Sequence, residues 1–219
     1  MSALPFRALP RPSLADGVAD QIRRAILDGV LAEGALIPEG QMASKLGTSR
    51  GPVRDALVQL EREGLVVFAP SGRSRVRVLA PADFEELFSL RLSLESMSAR
   101  LAAGRLTASD IAALEENLRQ SDAAPTLAEL TRLDIEFHDL VMRAARHERL
   151  LTCWRTLYRQ VEWWLARNTR LHASKAADTK RLVMAAQRKL FQAIRSGNAK
   201  RAVAEMTAHI GRWRTLLPS

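Results

Sequence analysis

Asp134 and His138 stand four residues apart, a spacing that places them one above the other on a helix face. Leu130, Phe137 and Val141 share that side, so the pair points inward. Gln187 falls on an apolar stripe with Val183, Met184, Leu190, Phe191 and Ile194, and His209 falls on another with Ala202, Met206, Trp213 and Leu216. Three segments thus direct polar groups to one interior, where each group left unpaired costs roughly 1 to 3 kcal/mol. They need partners, water, a metal or a ligand. One aspartate and two histidines suit a divalent ion of the zinc, nickel or manganese kind. The alternative is a hydrogen-bonded Asp–His pair beside an unrelated core histidine. Arg91, on a face with Phe84, Leu87, Leu94 and Ser98, can clamp a carboxylate bidentately, or pair with Glu95 one turn away. Trp163 and Trp164 point about 100° apart, so at most one faces such a pocket squarely, and core packing is the simpler role for it.

A metal-dependent hydrolase could use the same Asp/His cluster around an open zinc position. No H-E-x-x-H or similarly placed general base accompanies it, so the chain is not read as an enzyme.

A second constellation carries positive charge. In Glu39 to Leu65, Gln41 to Leu46 reads as a short helix with Met42, Ala43 and Leu46 inward, and Gly47 ends it. Thr48 or Ser49 can cap the next helix, and Pro52 is tolerated in its first turn. Val53, Leu57 and Leu60 form the buried stripe of this helix and Gly64 stops it, leaving Arg50 and Arg54 elsewhere near its start. Arginines there can reach base edges and phosphates, favoured by the helix dipole. Leu65 to Phe68 and Arg75 to Leu79, joined through Pro70-Ser71-Gly72, read as a hairpin bearing Arg73, Arg75 and Arg77. The layout is a helix-turn-helix with a basic wing. The plain alternatives are ion pairs of Arg50 and Arg54 with Asp55 or Glu61, and a solvated hairpin. A sequence-tolerant architectural protein would also bind DNA, but has no use for a polar pocket.

The elements that position these residues follow from composition. With 219 residues, 47% hydrophobic and 26% charged, the chain can hold two ordinary domains. Net charge is +9, but residues 1–79 carry 11 basic and 8 acidic side chains and residues 80–219 carry 22 and 16, so the excess does not mark one half. Cys153 is the sole cysteine, which excludes an intrachain disulfide and fits a reducing cytoplasm. Residues 1–12 read as a flexible basic arm, not a signal peptide, and no stretch is apolar enough to span a bilayer. Residues 13–79 form the predicted winged domain and 80–82 a linker. Residues 83–219 form an all-helical domain of six helices: Asp83 to Ala103, Ser109 to Ser121, Pro125 to Ala145, Glu148 to Leu171, Lys175 to Ser196 and Ala199 to Leu217. The fold class is mainly α, a winged helix-turn-helix plus a helical bundle.

Residues 14 to 79 resemble the N-terminal domain of the GntR family of bacterial transcription regulators. The resemblance rests on the helix Leu14 to Leu27, on Ile26-Leu27-Asp28-Gly29, on Ser49-Arg50-Gly51-Pro52-Val53-Arg54-Asp55-Ala56-Leu57 and on Glu63-Gly64-Leu65-Val66. It implies base and phosphate contacts for Arg50 and Arg54, with Ser49 and Gly51 assisting at the helix start. Members often carry a further base-reading arginine where this chain has Gly40. Residues 83 to 217 resemble the FCD effector domain of the FadR-type branch, in its VanR-like group, through Leu90-Arg91 with Leu94-Glu95, Arg100 to Ala103, Asp134 to His138 as D-x-x-F-H, Ala193-Ile194 with Gly197-Asn198, and Met206 with His209. In many such domains one Asp and three His bind a metal that holds a carboxylate effector. Here Asp134, His138 and His209 match and Gln187 replaces the remaining histidine. The resemblance implies a dimeric cytoplasmic repressor whose operator binding answers to a small organic acid.

Overall fold

In a computed structural model, residues 14–171 and 176–215 are described. The expected arm over residues 1–12, Lys175, the helix end at Leu217 and the side chains of Trp213 and Leu216 lie outside the described residues. The chain divides into two compact units between Arg77 and Val78.

In the first unit, α1 (Leu14–Leu27), α2 (Glu39–Lys45) and α3 (Arg50–Arg62) precede a ribbon of β1 (Val66–Phe68) and β2 (Ser74–Val76). Apolar positions on α1 and α3 recur at helical spacing, and Val18, Ala19, Ile22 and Ile26 bury themselves with Val53, Ala56, Leu57 and Leu60. Each of the larger aliphatics contributes roughly 1.5 to 3 kcal/mol by leaving water. Arg23, only 5% exposed, adds a polar clasp that the sequence pattern did not suggest: its guanidinium donates twice to Glu63 at 2.7 Å and also meets Asp20.

The turn between α2 and α3 follows the glycine logic. Gly47 takes φ 62°, and the N–H groups of Gly47 and Thr48 return to the carbonyls of Ser44 and Ala43. Two expectations are corrected. Helix α2 begins at Glu39, not Gln41, with Pro38 in an extended conformation before it. Ser49 occupies the N-cap of α3, but its side chain makes no cap hydrogen bond. A capping oxygen accepts from the second or third helical N–H, and Pro52, the third residue, has none.

The ribbon is antiparallel in the register Val66↔Val76, Val67↔Arg75 and Phe68↔Ser74. It is shorter than predicted, because the chain from Ala69 to Arg73 closes on itself through Ala69 N–H to the Arg73 carbonyl at 2.9 Å. Leu36 bridges to Arg75, and Ser74 Oγ donates to the Ile37 carbonyl, so residues 34–37 support the outer edge of β2.

The second unit comprises α4 (Pro81–Ala102), α5 (Ala108–Ala123), α6 (Leu127–Ala144), α7 (Glu148–Leu171), α8 (Ala176–Arg195) and α9 (Ala199–Thr215). Helix α4 starts at Pro81, so Pro81 and Ala82 are its first turn and not linker. Proline is pre-set for that position, and the Ala80 N–H is held by Asp83 Oδ2 at 2.8 Å. Thr107 and Thr126 cap α5 and α6, accepting from the N–H groups of Asp110 and Glu129. Leu130, Leu133, Phe137, Val141, Met184, Leu190, Phe191, Ile194, Met206 and Ile210 form the core. Packing of α4 on α6, α7 and α9, and of α8 on α9, brings the polar stripes of four helices together.

Candidate ligand site and nucleic-acid interface

Ser49, Arg50, Gly51 and Arg54 are exposed over the first turns of α3, and Arg73 and Arg75 are exposed on the ribbon. None of these four arginines pairs with an acid among the described residues, so the Asp55 and Glu61 ion pairs considered from sequence are not formed. A Cβ at Gly40 would lie 3.2 Å from Arg50 Nη2; the missing side chain leaves room for the Arg50 guanidinium against α2.

In the second unit Asp134, His138, Gln187 and His209 converge, all buried. Asp134, His138 and His209 each offer one donor atom, and these lie within 4.8 Å of one another. His138 Nε2 and His209 Nε2 are 3.1 Å apart, and His138 Nε2 is 4.0 Å from Asp134 Oδ1. Gln187 Nε2 donates to Asp134 Oδ1 at 2.7 Å. Gln187 Oε1 and His209 Nδ1 are buried with no hydrogen-bond partner.

Glu95 is the residue that the sequence reading cast only as a partner of Arg91. It is fully buried, contacting the Arg91 Nε on one oxygen and the His138 Nδ1 on the other. Burial pushes its carboxyl up, but Arg91 and His138 outweigh that and hold it below the ordinary carboxylate range. The contact of Glu95 with His138 Nδ1 leaves Nε2 facing Asp134 and His209. That carboxylate–histidine arrangement orients ligating imidazoles. The available signal was a carboxylate on the same inward stripe of α4 as Leu87, Arg91 and Ser98.

Arg91 takes the intrahelical alternative, pairing with Glu95, and lines a small second cavity with Phe84, Leu87 and Trp164. Trp163 and Trp164 are both buried, and Trp164 stacks on Phe84 with ring centroids 5.1 Å apart. Burial raises the Asp134 carboxyl. Burial, followed by His138, Arg91 and Arg212, holds His209 well below the usual imidazole value, leaving it neutral.

The cluster opens on a cavity of about 260 Å³ that Asp134 and His209 share with Leu127, Leu130, Leu165, Leu182 and Val183. Thr131, Asn168, Thr169, Thr179, Ala186 and Arg212 complete its wall. Nitrogens held by one ion at about 2.1 Å each sit roughly 3.0 to 3.4 Å apart, which the two Nε2 atoms meet. With a neutral His209, an oriented His138 and an unpartnered Gln187 carbonyl oxygen, these residues fit a divalent ion.

A cationic helix start in a winged helix-turn-helix, followed by an all-helical unit, is the layout of a DNA-binding transcriptional regulator. Residues 14–76 match the model of the bacterial regulatory proteins of the gntR family, and residues 86–212 match the FCD domain. The chain is 30% identical to the "Probable D-xylose utilization operon transcriptional repressor" of Paenarthrobacter nicotinovorans, covering 93% of this chain and 88% of that one. The fold matches E. coli McbR/YncC at a TM-score of 0.76 and 19% identity, covering 94% and 97% of the two chains. It matches a GntR regulator from Rhodococcus sp. RHA1 at 0.77 and 20% identity, covering 93% and 97%.

This chain belongs to the GntR family of bacterial transcriptional regulators, in the branch carrying an FCD domain. The family and its relatives are regulators and not enzymes. Among the described residues, no helix is long and apolar enough to cross a membrane.

Proposed function

We propose that this regulator is a homodimeric cytoplasmic repressor whose hold on operator DNA is set by a small carboxylate bound in the cavity of its helical unit. The observation that carries this reading is the opening of a buried, partly unsatisfied Asp/His/Gln cluster onto that cavity. Arg50 and Arg54 contact base edges and phosphates, Ser49 and Gly51 allow close approach to the backbone, and Arg73 and Arg75 hold the flanking phosphates. Gly40 supplies no side chain to the bases, so the operator differs from those of relatives with arginine there.

Asp134, His138 and His209 would hold a divalent zinc, nickel or manganese ion, with the Gln187 amide as a weaker fourth donor. Such an ion would supply a positive centre for the effector carboxylate. Glu95 fixes the His138 ring, and Arg91 neutralises Glu95 within the same helix. The occupied cavity favours one placement of the two winged units over another, and operator affinity changes through that preference.

Replacing Arg54 by Ala is expected to weaken binding to a genomic operator fragment by more than about tenfold, near 1.4 kcal/mol, while ligand-induced thermal stabilisation persists. Loss of both would signal misfolding, and unchanged operator affinity would refute the interface. Metal analysis of protein purified without chelator, set against His209→Ala, tests the ion: equal and negligible content in both would refute it.

A further inference from the structure

The cavity has a direction. On α6 its lining runs from Asp134 back through Thr131 and Leu130 to Leu127, and on α8 from Ala186 back through Val183 and Leu182 to Thr179. At about 1.5 Å rise per residue, each run covers roughly 10 Å along its helix. Helices α7 and α9 continue the same wall with Leu165, Asn168 and Thr169 and with His209 and Arg212. The Thr131 and Thr169 hydroxyls meet at 3.0 Å, which ties the early turns of α6 to the last turns of α7. The cavity is therefore elongated, with the Asp134, Gln187 and His209 cluster at one end.

Polarity is divided along that length. Among the described residues that line the cavity, the buried polar atom without a hydrogen-bond partner is His209 Nδ1, and it lies at the cluster. Thr131 and Thr169 lie farther along, and their two hydroxyl protons are engaged either by the carbonyls of Leu127 and Leu165 or by each other. Neither has a proton left for a ligand. The rest of the wall is chiefly aliphatic, with Leu127, Leu130, Leu165, Leu182 and Val183, and its other polar residues are Asn168, Thr179 and Arg212.

We infer that the effector is an amphipathic monocarboxylate, with its polar head at the Asp134 and His209 end and an unsubstituted hydrocarbon body along Leu130, Leu165 and Val183. This rests on the carboxylate-effector reading above and narrows it. A sugar or sugar acid of the same length would set most of its hydroxyls against aliphatic side chains and exchange water for few partners. Burying a methylene there is favourable, so affinity grows with the length of the hydrocarbon until the cavity is filled.

Calorimetric titration of the full chain with acetate, butyrate, hexanoate and gluconate tests this. Hexanoate and gluconate have the same carbon skeleton and differ in hydroxylation. The expected result is a gain of about fourfold per added methylene from acetate to hexanoate, with hexanoate at least about tenfold tighter than gluconate. Val183→Thr, which keeps the side-chain shape and adds a hydroxyl, should weaken hexanoate about fivefold and leave acetate unchanged. Gluconate binding as tightly as hexanoate, affinities independent of chain length, or equal hexanoate binding by Val183→Thr and the parent would each overturn the hydrocarbon-body inference while leaving a carboxylate effector standing. No binding of any of the four acids would overturn the carboxylate reading itself.

Discussion

Replacing Glu95 by Gln removes one negative charge and little volume from the centre of the helical unit. Glu95 is 0% exposed and Arg91 3%, and the carboxylate serves both Arg91 and His138. The substitution removes the ion-pair partner on the same helix from a buried guanidinium, a change of the kind that costs about 3 to 5 kcal/mol. Against total stabilities of about 5 to 15 kcal/mol for a domain, that is a large fraction. For a unit of this size each kcal/mol moves the unfolding midpoint by roughly 3 to 4 °C, so a fall of about 10 to 20 °C is expected. Thermal unfolding followed by circular dichroism at neutral pH measures it. Companion variants Arg91→Met and Arg91→Met/Glu95→Gln complete a double-mutant cycle. The double variant should be less destabilised than the sum of the singles by more than about 1.5 kcal/mol, because the stranded charge goes with its partner. A Glu95→Gln variant within about 1 kcal/mol of the parent, or strict additivity in the cycle, would refute the coupled Arg91–Glu95–His138 arrangement.

Two other perturbations probe separate parts of the molecule. Tyr158 is the sole tyrosine, and burial, assisted by Glu162, pushes its phenol up to about 12. The unfolded chain therefore ionises first, so Tyr158's contribution to stability is complete below about pH 10 and is lost as pH rises through the folded value. Absorbance titration of tyrosinate should show a midpoint near that raised value in folded protein and an ordinary one in denaturant; equal midpoints would contradict the burial. In the winged unit, Glu63→Ala removes two of the contacts on the buried Arg23 guanidinium but leaves Asp20. A cost of about 2 to 3 kcal/mol is expected, below that of a fully stranded charge. Amide exchange should accelerate in α1 and α3 while α6 is unaffected, and unchanged exchange in α1 would count against the clasp.

The relation of sequence to structure divides along the range of the forces involved. While α1 was reached through the family resemblance, the helices from α2 onward and the ribbon were legible from helical periodicity, Gly47, Gly64 and the hairpin alternation, which act over a few residues. So was the inward placement of Asp134, His138, Gln187 and His209, since a polar group on an apolar stripe declares itself locally. The boundary errors were local as well: the capping role assigned to Thr48 or Ser49 overlooked that Pro52 removes the donor such a cap would use.

Tertiary structure decided what those residues meet. Glu95 faces His138 from 43 positions away, and His138 faces His209 from 71 away, pairings that only the packing of α4, α6 and α9 creates. Arg91 had two local options, and the burial of Glu95 against His138 selected the ion pair. The cavity is likewise a property of four helices at once, and its aliphatic length depends on which faces of α6, α7, α8 and α9 are left unfilled. Sequence alone thus determined the class of regulator and the polar residues of its core. Packing decided how those residues are wired and the shape of the cavity beside them, because buried electrostatics and shape depend on neighbours distant along the chain.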